Sequence, residues 1–178
     1  MIGVIGAGAM GEVFVAGLIR GGTAPGRLVI CEKVDERARE VAERHGVRVV
    51  TVSEAARECA TILLLVKPQD VSGVLEELGH HLADGAVVIS LAAGVRLVAL
   101  ESGLPRAAVV RAMPNTPALV DLGITAISPG ESCSPDQADY VESLLSAVGP
   151  VVRVPAELQD AVPATSGPGP ASVFRLIE

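Results

Sequence analysis

"MIGVIGAGAMGEVF", residues 1–14, runs from an apolar stretch straight into three glycines, Gly6, Gly8 and Gly11. The first five residues, MIGVI, read as a strand, and MGEVFVAGLIRGG (10–22) reads as a helix. Gly-x-Gly-x-x-Gly between a strand and a helix has the form of a dinucleotide-binding fingerprint. In that reading Gly6 permits a tight turn, Gly8 lets the backbone approach a pyrophosphate, and Gly11 lets the helix pack closely on the sheet. Backbone N–H groups near Ala9 and Met10 then face the phosphates, aided by the helix dipole. A plain glycine turn is the alternative reading of the same residues.

The rest of the chain repeats the alternation. Strand-like runs stand at 27–32, 47–50, 61–66, 86–92, 107–113, 124–128 and 151–154. Helical stretches stand at 35–46, at 54–58 with Ser53 as cap, at 70–82, and at 134–149 with Ser134 as cap and Pro135 at the first position. TILLLV (61–66) and AVVISLA (86–92) are continuous apolar runs, as strands buried on both faces require. This order predicts an α/β fold: a doubly wound, mainly parallel, Rossmann-type sheet with helices on both faces. After Pro155 the character changes to a helix, a break rich in proline and glycine at 163–170, and the start of another helix. The expected division is therefore a dinucleotide-binding domain over 1–155 and a connecting segment over 156–178.

The fingerprint expects an acidic residue about 20 positions on, at the end of the second strand. Glu32 lies 21 residues after Gly11. A carboxylate there binds the adenosine ribose hydroxyls and repels a 2′-phosphate, which favours NAD; Lys33 and Arg37 nearby would tolerate one. An ordinary surface carboxylate is the plainer reading of Glu32. Ligands of such sheets bind outside the carboxyl ends of the strands. VKPQD (66–70) puts Val66, Lys67 and Pro68 there, and SLAAGV (90–95) puts the small Ala92, Ala93 and Gly94 there, where a flat ring can lie close. RAMPNTPA (111–118) puts Asn115 at a strand end, with donor and acceptor groups suited to a carboxamide. Taken singly, Lys67 also reads as a solvated charge and Asn115 as a turn residue.

Composition narrows the field. The chain has 178 residues, 49% of them hydrophobic and only 2% aromatic, so its core is aliphatic. A net charge of −7 argues against nucleic acid or an anionic membrane as partner. Cys31, Cys59 and Cys133 show no metal-ligand spacing and read as buried thiols in a cytoplasmic setting. His80 and His81 read as a polar helix face in mid-helix and not as a metal site, and His45 as a helix-end residue. No metal site, membrane span or signal peptide is expected. No Ser-His-Asp order or paired carboxylate suggests hydrolysis.

Four blocks together, VIGAGAMG (4–11), VKPQ (66–69), MPNTPA (113–118) and DAVPATSGPGPASVF (160–174), resemble the pyrroline-5-carboxylate reductase family. The resemblance runs over the whole chain. It implies reduction of 1-pyrroline-5-carboxylate to proline with NADPH or NADH, in proline biosynthesis. It also implies an all-helical dimerisation domain after the sheet, of which 156–178 is the start, a homo-oligomer, and a substrate-carboxylate loop beyond Glu178. It places Lys67 near the pyrophosphate or nicotinamide ribose, Asn115 on the carboxamide, and Ala92, Ala93 and Gly94 beside the ring. No residue stands out as catalytic. Pro168 and Ser172 depart from the family's last block, where a Ser and a Tyr are usual. Another dehydrogenase of the same fold, or a dinucleotide-binding module without activity, are the rival readings.

Overall fold

The computed structural model describes residues 1–114 and 124–159. Within them lie eight strands and six α-helices. The strands are β1 (Ile2–Ile5), β2 (Leu28–Cys31), β3 (Arg48–Val49), β4 (Thr61–Leu64), β5 (Val87–Ser90), β6 (Ala108–Pro114), β7 (Thr125–Pro129) and β8 (Val151–Arg153). The helices are α1 (Ala9–Arg20), α2 (Asp35–His45), α3 (Val52–Glu58), α4 (Val71–His81), α5 (Leu97–Gly103) and α6 (Pro135–Leu145). The strands form one sheet in the order β3-β2-β1-β4-β5-β6-β7-β8. The pairings from β3 through β6 are parallel, β6 and β7 run antiparallel, and β7 and β8 are again parallel. The mainly parallel sheet expected from the sequence is present, with the reversal confined to one pair.

The central strands β2, β4 and β5 are buried at every residue, which explains their unbroken apolar runs. Alternate side chains enter two separate cores. Val4, Ile30, Leu63, Ile89 and Val110 pack with Phe14 and Leu18 of α1, Val41 of α2, and Val141 and Leu145 of α6. Ile5, Val29, Ile62, Val88 and Val109 pack on the other face with Ala55 of α3, Leu75 and Leu78 of α4, and Leu100 of α5. Close packing of α1 on the segment that follows α6 relies on a missing side chain: a Cβ on Gly17 would stand 2.7 Å from Val148 Cγ2.

Several expectations need correction. The cap of α3 is Thr51, which forms a reciprocal capping box with Glu54; Ser53 lies inside the helix and gives its hydroxyl to Glu77 Oε1 at 2.6 Å. Residue type alone favours Ser53 over Thr51 as a cap, but the Glu three residues after Thr51 completes a capping box and decides for Thr51. The sequence predicts no helix at α5, whose N-cap, Arg96, is not a capping type and makes no side-chain cap. Helix α6 keeps Ser134 and Pro135 where expected but ends at Leu145, before Gly149. His80 and His81 lie in the last turn of α4, not its middle. Cys31 and Cys59 are buried, whereas Cys133 is only half-buried.

Phe14 is wholly buried at the centre of the α1 face. Phe14→Ala is expected to cost about 3–5 kcal/mol of stability. Urea denaturation followed by circular dichroism would measure this as a lower midpoint with a similar slope.

Candidate dinucleotide site

The chain runs β1, β2, β3 outward in one direction and then β4, β5, β6 in the other, so the order reverses between β1 and β4. In an open parallel sheet this reversal leaves a crevice at the carboxyl edge, where ligands bind. Ile5 of β1 stands in register with Leu64 of β4, and Leu64 with Ser90 of β5, so the loops that follow all emerge at this edge. Cys31 of β2 stands beside Ile5 on the other side.

The three glycines differ in what constrains them. Gly6 has φ +96°, and a Cβ there would lie 2.7 Å from Leu65 O, in the loop after β4. A Cβ on Gly11 would lie 2.0 Å from Gly6 O, so the helix start and the turn touch backbone to backbone. Gly8 is unlike both. It is exposed, its φ of −62° suits any residue, and a Cβ would meet nothing within 4 Å. No contact within the described residues requires glycine at this position. Gly8 is also the N-cap of α1, with no side chain over the first-turn N–H groups. Ala9 is exposed beside it and Met10 is half-buried.

Glu32 follows β2 immediately and turns towards the glycine loop. Its Oε2 accepts the Ala7 N–H at 2.9 Å and its Oε1 accepts the Val34 N–H at 3.1 Å. Lys33 reaches over the edge to Asp70, Nζ to Oδ2 3.0 Å, with its side chain 71% exposed. Val66 is half-buried, Lys67 and Pro68 are exposed, and Pro68 opens a short 3-10 turn over Pro68–Asp70. Ala92 is buried, Ala93 and Gly94 are exposed, and Gly94 turns the chain at φ +72°. The structure thus gathers these candidates from the four loops that follow β1, β2, β4 and β5 on one edge. Asn115 lies outside the described residues, as does the segment 160–174.

A charge cluster beside the loop was not anticipated. Arg37 of α2 donates from Nε to Ala7 O at 2.9 Å and from Nη2 to Glu12 Oε2 at 2.5 Å. Glu12 also accepts from Arg44, and its Oε1 lies 3.0 Å from His45 Nε2. The Ala7 peptide is therefore held at both ends, its N–H by Glu32 and its carbonyl by Arg37. A signal for the cluster was present in the sequence. Residues 37, 41, 44 and 45 share one helical face, and Val41 puts that face on the core. Burial works against the charge on Glu12, but hydrogen bonds from His45, Arg37 and Arg44 outweigh it and pull its pKa down from 4.5 to about 2. Among the described residues no group of His, Cys, Asp or Glu is placed to hold a metal ion. None of their helices is long and apolar enough to cross a membrane.

Comparison with known proteins places the chain in a family. The family described as NADP oxidoreductase, coenzyme F420-dependent, matches residues 1–94. Pyrroline-5-carboxylate reductase of Synechocystis is 42% identical over 179 residues, covering 99% of this chain and 67% of its own length. The chain belongs to the pyrroline-5-carboxylate reductase family. The reductase of Mycobacterium tuberculosis is 39% identical over 184 residues, and this chain spans 62% of its length. The structure of the Coxiella burnetii reductase superposes with a TM-score of 0.91 at 36% identity, over 98% of this chain and 66% of that one. A Plasmodium falciparum pyrroline carboxylate reductase with NADP bound shares the fold, with a TM-score of 0.84 at 24% identity.

A carboxylate whose pKa is depressed by folding stabilises the protein fully above its unfolded value and loses that contribution as pH falls through the folded one. Glu12 should therefore make the chain less stable between pH 4.5 and about 2. The loss at its side chain's partial exposure is about 1–2 kcal/mol. Thermal melts of wild type and Glu12→Gln across this range should converge at the acid end. Curves that stay parallel would show that Glu12 contributes nothing.

Proposed function

We propose that this chain binds a nicotinamide dinucleotide across the β1–β4 crevice and serves the reduction of 1-pyrroline-5-carboxylate to proline. The open space above Gly8, in a loop otherwise closed by backbone contacts, carries this reading. The pyrophosphate would rest on the loop Gly6, Gly8, Ala9, Met10 and Gly11, against the uncapped start of α1. Glu32 and Lys33 flank the adenosine ribose, and Val66, Lys67 and Pro68 the middle of the dinucleotide. Ala92, Ala93 and Gly94, with Asn115, flank the nicotinamide. When bound, the reduced nicotinamide supplies a hydride to the imine carbon. The contribution of the chain is orientation: small residues after β5 leave room for the ring, and the rigid loop sets the cofactor's position along the edge.

Residues 1–155 form the dinucleotide-binding domain in this reading, and 156–178 lead into the helical part that completes a homo-oligomeric, cytoplasmic enzyme. The preference expected is for NADH. Both oxygens of Glu32 already accept backbone N–H groups, so the carboxylate is fixed at the end of β2, where a 2′-phosphate would meet it. The repulsion corresponds to about 1–2 kcal/mol at a partly exposed site, or roughly 5–30-fold.

Two measurements test the proposal. Gly8→Val should keep the fold, since its side chain enters open space, with only a small loss of melting temperature from the poorer N-cap, yet abolish binding of NADH and NADPH in titration calorimetry. Retained binding would remove the loop from the site. Glu32→Ser should move the preference towards NADPH, and an unchanged ratio would make Glu32 a surface residue. Turnover of 1-pyrroline-5-carboxylate distinguishes a reductase from a dinucleotide-binding module.

A further inference from the structure

A phosphate on the adenosine ribose would meet the segment just after β2, where two cations stand near Glu32. Lys33 is solvated and paired with Asp70 across the edge. Arg37 is the stronger candidate, because a guanidinium can grip phosphate with two parallel N–H groups. Most of its donors, however, are already committed. Nε is on Ala7 O at 2.9 Å, Nη2 on Glu12 Oε2 at 2.5 Å and Gly8 O at 3.4 Å, and Nη1 on Glu40 Oε2 at 3.3 Å. Glu40 is 51% exposed, whereas Glu12 is 18% exposed and fixed on the first turn of α1 by the helix backbone. Glu12 is thus the anchor, and it turns the fork of Arg37 towards the protein.

We propose that Glu12 sets the choice between the two dinucleotides without touching either, by holding Arg37 on the glycine loop and away from a 2′-phosphate. The proposal rests on the dinucleotide reading of the site. Arg37 is then a positioning residue for the Ala7–Gly8 backbone, and Glu12 a specificity determinant acting through it. Removing the negative charge of Glu12 frees Nη2 from its ion pair while Nε can remain on Ala7 O; the long 3.3 Å contact of Nη1 to the exposed Glu40 yields to a phosphate, so a small turn of the side chain opens a phosphate-binding fork.

Fluorescence titration of the 178-residue chain with NADH and with NADPH, at fixed low salt, tests this. Glu12→Gln should raise the affinity for NADPH relative to NADH about fivefold, the scale of one partly exposed charge pair. Adding Arg37→Met should erase that gain. Arg37→Met alone, in a chain that keeps Glu12, should weaken both dinucleotides alike and leave their ratio at the wild-type value. A structural defect cannot produce the gain, nor its loss in the double variant. An unchanged ratio in Glu12→Gln, or a gain that survives in the double variant, overturns the proposal. So does a selective loss of NADPH in Arg37→Met alone, a result that needs no folded Glu12 variant. A wild-type chain that binds neither dinucleotide overturns the reading of the site and this proposal with it. Binding of both with a ratio that ignores Glu12 overturns this proposal only.

Discussion

The contact between Gly11 and the carbonyl of Gly6 is the constraint on which the rest of this molecule depends. A single added carbon at Gly11 would fall 2.0 Å from that oxygen, well inside van der Waals contact. Because no side chain intervenes, α1 starts directly on the turn that leaves β1. That close start brings Phe14, Val15 and Leu18 down onto the sheet and builds one of the two cores. It also points the first N–H groups of α1 along the carboxyl edge, where the strand order reverses. Fold and binding surface thus share one steric condition.

The glycine loop is braced as well as tight. Glu32 from the end of β2 and Arg37 from α2 hold opposite ends of the Ala7 peptide. The clamp works because Arg37 has its own counterion in Glu12, which in turn is fixed by Arg44 and His45. A loop held this way loses little freedom when a ligand arrives, which is how preorganisation improves affinity. The same clamp has a chemical consequence. Arg37 is committed to the loop and to Glu12, and the Glu32 carboxylate stands at the end of β2.

The middle of the sheet was readable in the sequence because burial on both faces leaves an unmistakable composition. TILL of β4 and VVIS of β5 have no polar face to show, and only a strand covered on both sides needs that. Short elements were harder to read. The seven residues of α5 lie between two apolar strands, and their N-cap, Arg96, is not a capping type. The cap of α3 lies two residues before the expected Ser53 because the reciprocal bond between Thr51 and Glu54 outweighs the better capping type of Ser53. The antiparallel entry of β7 cannot be seen in its own residues, since strand direction is a property of the connection.

For the site, the sequence by itself determined which residues stand at the carboxyl edge. Gly6, Gly8, Gly11, Glu32, Lys67 and Gly94 each follow an apolar run, and in a parallel sheet all such positions share one edge. Sequence spacing also marks Gly6 and Gly11 as backbone contacts, because a tight strand-to-helix turn leaves no room for a Cβ. The tertiary structure alone decided what those residues do to one another. It showed that Gly8 faces open space, that Glu32 spends both oxygens on backbone N–H groups, and that Arg37 is held by Glu12, 25 residues away. Hydrogen-bond partners are chosen by distance in space, and the sheet order that sets α1 beside α2 emerges only when the strands have paired.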